Sequence, residues 1–143
     1  MNFVLDNSVA MRWYFGDGSA ADLSYASQVL DAMNSATAVV PGLWGLEVAN
    51  VLARAEAAGL VSEARSQTFI GMLEKLELSV DPATPAHALG ATLQLARRYR
   101  LSAYDAAYLE LALRTGLPLA TLDEKLTKAV HKAGVKRFAP ARA

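Results

Sequence analysis

Hydrophobic and polar positions follow two alternating patterns along the chain. Short apolar runs rich in β-branched residues predict five strands, at Phe3–Leu5, Ala38–Val40, Leu78–Val80, Leu119–Thr121 and Val135–Phe138. Between these runs, apolar residues repeat every three or four positions, which is the period of an amphipathic helix. This alternation predicts an α/β fold with a parallel sheet that is covered by helices on both faces.

Four carboxylates lie in or directly beside the apolar segments: Asp6, Glu47, Asp105 and Asp123. Asp6 and Asp123 follow two predicted strands, and open parallel sheets bind ligands beyond the carboxyl ends of their strands. Like charges that are packed together repel one another, and isolated buried charges are costly. A divalent cation with oxygen ligands would neutralise such a cluster, so we expect Mg²⁺ or Mn²⁺ and phosphodiester chemistry.

Two of these carboxylates also have a structural explanation at a helix start. Asp6 opens a stretch of three polar residues, Asp6-Asn7-Ser8, and any of them is suited to cap the helix that follows. Ser8 is alternatively placed to donate a hydrogen bond to a site carboxylate. Asp105 lies three residues after Ser102, which is the spacing of a capping box. The pattern alone leaves the structural and the functional roles open.

The other two carboxylates are ambiguous for different reasons. Glu47 shares a helical stripe with Asn50, which a solvated polar ridge would explain without chemistry. Asp123 suits the positive start of a helix, but the pair Thr121 and Glu124 predicts a capping box that leaves Asp123 free. A functional site is therefore expected only if all four acids meet at one edge of the sheet.

Length and composition restrict the class of protein. The 143 residues are most simply one domain, 1–143, and the 53% of hydrophobic residues are enough for a substantial core. The absence of cysteine excludes disulfides, thiolate metal sites and cysteine nucleophiles. No apolar run is long enough to cross a membrane, and the N-terminal residues lack the pattern of a signal peptide. These features predict a cytoplasmic protein without a membrane partner.

The basic residues are clustered although the formal net charge is zero. Arg97, Arg98 and Arg100 precede the predicted helix of Asp105, and three lysines at helical spacing follow Asp123, namely Lys125, Lys128 and Lys132. They are either solvated helix faces or a rim that contacts phosphates. The sequence leaves both interpretations open.

Four segments, taken in order, resemble the motifs of PIN-domain ribonucleases, and among these the VapC-type toxins of prokaryotic toxin–antitoxin pairs. They are Leu5-Asp6-Asn7-Ser8-Val9-Ala10, Leu46-Glu47-Val48-Ala49-Asn50-Val51-Leu52, Leu101-Ser102-Ala103-Tyr104-Asp105-Ala106-Ala107-Tyr108 and Leu117-Pro118-Leu119-Ala120-Thr121-Leu122-Asp123-Glu124-Lys125-Leu126. All four acidic positions are filled. The resemblance spans Phe3 to about Phe138.

This resemblance implies a three-layer α/β/α sandwich with a mostly parallel central sheet, commonly assembled as a homodimer. It also implies Mg²⁺- or Mn²⁺-dependent cleavage of RNA by a metal-activated water, and inhibition by a cognate VapB-type antitoxin. Carried over by position, Asp6, Glu47 and Asp105 become metal-binding catalytic acids, with Asp123 as a fourth ligand. Three further residues would support them as hydrogen-bonding groups, namely Ser8, Asn50 and Thr121.

Two other functions stay open at this stage. The same fold with an acidic docking patch would be a protein-binding module without catalysis. A metal-dependent DNA nuclease would use the same acids, since the contact to the ribose 2′-hydroxyl that separates RNA from DNA lies outside the motifs.

Overall fold

A four-stranded parallel sheet forms the centre of the molecule in the computed structural model, which describes residues 2–140. The strands are β1 (Phe3–Leu5), β2 (Ala38–Val40), β3 (Leu78–Val80) and β4 (Leu119–Ala120), and their order in the sheet is β3-β2-β1-β4. The first strand of the chain therefore lies in the interior of the sheet, between β2 and β4.

Helices cover the sheet and connect its strands. They are α1 (Asn7–Phe15), α2 (Ala20–Ala32), α3 (Trp44–Ala57), α4 (Glu63–Glu74), α5 (Thr84–His87), α6 (Leu93–Tyr99), α7 (Ala103–Thr115) and α8 (Glu124–Lys132). A π-helical turn with a kink at Gly90 joins α5 to α6. The predicted parallel sheet and the three-layer α/β/α arrangement are confirmed.

Burial explains why such short strands are stable. All three residues of β1 are fully buried, as expected for a strand that is covered on both faces by helices. Helix α7 is buried continuously from Ala106 to Ala112 and packs against β1 and β4. The C-terminal ends of β1 and β4 are thereby held in the best-packed part of the protein.

The predicted fifth strand, Val135–Phe138, is wrong as a strand. This segment makes only one isolated bridge, between Arg137 and Leu119, with hydrogen bonds from Leu119 N to Lys136 O and from Phe138 N to Leu119 O. Its partner β4 has only two residues, so no longer ladder can form. The segment is instead fixed by the side chain of Phe138, whose ring stacks on Phe3 at 4.0 Å between centroids.

The aromatic residues near the end of α1 belong to the packing of the protein itself. Tyr14 is buried, stacks on Phe69 and shares a hydrogen bond of 3.1 Å with Ser66. Trp13 donates from Nε1 to the carbonyl oxygen of Ala26 at 2.8 Å, which ties α1 to α2. Among residues 2–140, no helix is both long and apolar enough to span a bilayer.

Candidate active site

Asp6 lies where the direction of strand addition reverses. The chain adds β2 and β3 on one side of β1 and then crosses to add β4 on the other side, and this reversal is where open α/β sheets bind ligands. Asp6 directly follows β1, and only 4% of the residue is exposed. Its backbone N–H donates to the carbonyl oxygen of Ala120, so the carboxyl end of β4 holds it in place.

Two hydroxyl groups orient the Asp6 carboxylate. Ser8 Oγ donates to Asp6 Oδ2 at 2.5 Å, and Thr121 Oγ1 donates to the same oxygen at 2.8 Å. Ser8 Oγ in turn accepts from the backbone N–H of Leu122 at 2.9 Å. Asp6 stands at the N-cap position of α1, yet its side chain makes no capping hydrogen bond. The explanation of Asp6 and Ser8 as helix caps is therefore wrong, and both side chains are committed to this cluster.

Asp123 caps the start of α8, a role that the sequence pattern assigned to Thr121. The predicted capping box of Thr121 and Glu124 is wrong, because α8 begins at Glu124 and its N-cap is Asp123. Asp123 Oδ2 accepts from the backbone N–H of Leu126 at 2.8 Å. Thr121 Oγ1, displaced from that role, accepts from Asp123 N at 3.0 Å while it donates to Asp6. One oxygen of Asp123 is thus used by the helix.

Glu47 is positioned by Tyr108, a residue for which the sequence pattern predicted no role at the site. Glu47 lies in the first turn of α3 and is half-buried, and Tyr108 on α7 donates its hydroxyl to Glu47 Oε1 at 2.5 Å. Tyr108 is fully buried. Tyr108 lies three residues after Asp105, so both residues are on one face of α7. This spacing could have identified Tyr108 as a site residue from the sequence.

Asp105 and Asn50 complete the predicted set. Ser102 caps α7 as predicted, since its Oγ accepts from the backbone N–H of Asp105 at 3.1 Å, and the Asp105 side chain is half-buried. Asn50 is exposed one turn after Glu47, and its side chain makes no hydrogen bond within the described chain. Its supporting role stays a prediction.

The cluster places several negative charges in a poorly solvated region. The pKa of Asp6 is raised to about 7, chiefly by burial and to a smaller extent by the charges of Asp105 and Glu47, although the hydrogen bonds from Ser8 and Thr121 lower it. The Asp6 carboxylate is therefore ionised at neutral pH only at an energetic cost.

The neighbouring acids respond in the same direction. Burial raises the pKa of Glu47, with a smaller contribution from the charge of Asp105 and an opposing one from the Tyr108 hydrogen bond. Burial likewise raises the pKa of Asp105, and the charge of Asp123 adds to it. The charges of Glu47 and Asp105 thus act on Asp6, and the charge of Asp123 acts on Asp105, so each carboxylate lies within electrostatic reach of at least one other. We call this cluster of four acids the acidic pocket.

Comparison with known proteins identifies the family of the chain. The chain matches the PIN domain family over residues 3–132, which is most of its length. The chain belongs to the PIN domain family. A crystal structure of PAE2754 from Pyrobaculum aerophilum has a similar fold, with a TM-score of 0.65 and 21% sequence identity over 90% of this chain and 87% of that chain. A comparison with curated protein sequences finds no significant match.

PIN domains are generally metal-dependent nucleases, so the donors of this PIN domain can be tested for their fit to a metal. All donors in the acidic pocket are oxygens, which suit a hard divalent cation such as Mg²⁺. Both hydroxyls act on Oδ2 of Asp6, and Oδ1 accepts no hydrogen bond from residues 2–140. Within this described part, however, no three acidic or histidine side chains stand close enough together to form a ready-made metal site. The donor chemistry fits a cation, and the acids would have to draw closer to bind one.

Proposed function

We propose that this PIN domain is a Mg²⁺- or Mn²⁺-dependent endoribonuclease. The observation that carries the proposal is the buried Asp6 carboxylate, which two hydroxyls hold at the reversal of strand order. Glu47, Asp105 and Asp123 lie at three different helix starts, and the charges of Glu47 and Asp105 act on Asp6. A buried carboxylate with a raised pKa beside other acids is typical of a functional site rather than of a core.

In this proposal each side chain has a separate task. Asp6, Glu47 and Asp105 hold the cation, and Asp123 acts as a fourth ligand through water because one of its oxygens caps α8. A divalent cation supplies neutralisation of negative charge and a more acidic water for attack on phosphorus when it is bound in such a site. Asn50, exposed beside Glu47, is proposed to support the pocket from its rim.

The hydroxyl groups of the chain fix the orientation of the acids. Ser8 and Thr121 restrict Asp6 to one rotamer, and Tyr108 does the same for Glu47. Hydrogen-bonding partners of this kind orient metal-binding carboxylates and are needed for full metal affinity. The orientation of Asp6 and Glu47 is therefore set by hydroxyl groups of the chain before a cation binds.

Cleavage of purified total RNA tests the proposal directly. Discrete fragments should form in Mn²⁺ or Mg²⁺ and should be lost both in EDTA and in the Asp6→Asn variant. Parallel reactions with single-stranded DNA of matching sequence decide whether the substrate is RNA. Cleavage that survives in Asp6→Asn would assign the activity to a contaminating nuclease, and cleavage of DNA alone would overturn the RNA assignment.

We further propose that the protein is the VapC-type toxin of a toxin–antitoxin pair, a homodimer that acts in the cytoplasm and is inhibited by a VapB-type antitoxin. The four-motif resemblance supports this assignment. Expression of the wild type in a bacterial host should arrest growth, whereas expression of Asp6→Asn at the same level should not. Light scattering on the purified protein tests the dimer, and equal growth with both variants would contradict the toxin assignment.

A further inference from the structure

A second charged feature, of opposite sign, lies beside the acidic pocket. The end of α6 and one side of α8 enclose a cleft of about 520 Å³. We call it the basic cleft, and it is lined by Arg98, Tyr99, Arg100, Lys125, Lys128, Ala129 and Lys132. Five of these seven residues are cations, and none is an acid.

The cations of the basic cleft are not neutralised by the protein. All five are exposed, and the ion pairs among residues 2–140 include none of them. The whole chain has equal numbers of acidic and basic residues, so this concentration of one sign is local. Like charges that line one concavity repel one another, and they focus a field that attracts an anion with several charges.

Arg100 ends α6 in a backbone conformation that usually favours glycine. Arg100 has φ of 53°, and it is the one non-glycine residue with positive φ between residues 2 and 140. Helices α1 and α7 end in the same left-handed conformation with Gly16 and Gly116, where glycine avoids the steric cost of a Cβ. The guanidinium of Arg100 therefore reaches the basic cleft at a conformational cost that a glycine would not have.

The basic cleft adjoins the acidic pocket at the start of α8. Lys125 lines the cleft, and it lies in the first turn of α8, two residues after Asp123 at the N-cap of that helix. A polyanion that is held in the cleft would therefore pass next to the acidic pocket.

We propose that the basic cleft binds the phosphates of the RNA strand that flank the phosphodiester bond to be cleaved. This inference rests on the proposed ribonuclease function and adds a path for the substrate to it. Each phosphate contact to a single strand changes the slope of log affinity against log salt concentration by about 0.7. At about 0.1 M salt, one contact is then worth about 5-fold in affinity and two contacts about 25-fold.

Binding of fluorescein-labelled single-stranded polyuridylate, measured by anisotropy in EDTA, tests the inference without cleavage. The variant Lys128→Gln/Lys132→Gln should bind about 25-fold more weakly at about 0.1 M salt and lower the salt slope by about 1.4. The matched control is Lys75→Gln/Lys136→Gln, which makes the same charge change near the amino ends of β3 and β4, at the opposite edge of the sheet. This control should bind like the wild type.

Arg100→Gly provides a test that does not depend on a destabilising change. Glycine suits φ of 53°, so the variant should melt no lower than the wild type while its affinity for polyuridylate falls about 5-fold. Unchanged affinity in Arg100→Gly and in the lysine pair would overturn the inference, as would equal loss in the control pair or no binding by the wild type.

Cleavage assays separate this inference from the proposed function. If the wild type binds RNA through the cleft but cleaves no RNA in Mn²⁺, the ribonuclease proposal fails. If the wild type cleaves RNA and the KM of Lys128→Gln/Lys132→Gln is unchanged, the cleft assignment fails while the ribonuclease proposal stands.

Discussion

Replacing Asp6 by asparagine should stabilise the metal-free protein at neutral and alkaline pH. The substitution removes the buried charge but keeps a carbonyl oxygen that can accept from Ser8 and Thr121, both of which donate to one oxygen of Asp6. A role in catalysis alone would predict only a loss of activity. The structure also predicts a higher free energy of unfolding for Asp6→Asn, because burial disfavours the charged form of the Asp6 carboxylate.

The size of the gain follows from the pKa of Asp6, which is about 7 in the folded protein against an ordinary value of 3.8. Because the folded pKa is raised, the contribution of Asp6 is fully favourable below about pH 4 and is lost as pH rises through 7. Each pH unit of difference between these two pKa values corresponds to about 1.4 kcal/mol, so the charge of Asp6 costs on the order of 4 kcal/mol at pH 8. For a chain of this length that corresponds to roughly 10 °C in Tm.

Thermal unfolding between about pH 4 and pH 8, in EDTA and in Mg²⁺, measures this effect. Asp6→Asn should melt well above the wild type near pH 8 in EDTA, and the difference should vanish near pH 4. Mg²⁺ should raise the Tm of the wild type alone, since binding to the folded state stabilises it. Asp31→Asn, an exposed change of the same chemistry, is the control. A difference that is independent of pH would refute the argument from burial.

Three further predictions concern other parts of the molecule. Tyr108→Phe removes the hydrogen bond to Glu47 and should weaken Mn²⁺ binding about 10-fold or more in calorimetry, with unchanged circular dichroism. Arg114→Ala leaves Asp81 and Glu110, both buried, without their shared partner, and should cost about 2 kcal/mol in urea unfolding; an effect below 0.5 kcal/mol would contradict this network. Cleavage by water should leave 5′-phosphate and 3′-hydroxyl ends, and a 2′,3′-cyclic phosphate found by end sequencing would exclude it.

The pH dependence of the Arg114 network has the opposite sign to that of Asp6. Hydrogen bonds from Arg114 lower the pKa of Asp81 to about 2. The stabilisation from this carboxylate is therefore present above about pH 4 and is lost as pH falls towards 2. In Arg114→Ala this loss at low pH should be smaller than in the wild type.

Local sequence patterns predicted the positions of the strands and helices better than they predicted which of these elements pair or pack together. The strands β1, β2 and β3 were predicted with the bounds that the structure has. For β1 the reason is burial, because a strand that is covered on both faces must be apolar throughout. The segment Val135–Phe138 also begins and ends with residues typical of strands, but its pairing depends on the length of β4, which its own sequence does not contain.

In the candidate site, too, features that depend on local sequence were predicted, and contacts between residues far apart in the chain were not. The sequence predicted that the acids converge, since strand–helix alternation places strand ends at one edge. It could not show that Thr121 donates to Asp6, because the order of strands is set by tertiary packing. Tyr108 and the cap at Asp123 were missed for a related reason, as each is defined by where a helix starts or what it faces.

The central position of β1 has a consequence for how the protein is made. Asp6 leaves the ribosome well before Thr121, whose hydroxyl orients it and which lies 115 residues later. Contacts between such distant parts of a chain are slow to form. The acidic pocket therefore cannot assemble on a nascent chain until β4 has emerged, and premature termination before that strand should release fragments in which the pocket is incomplete.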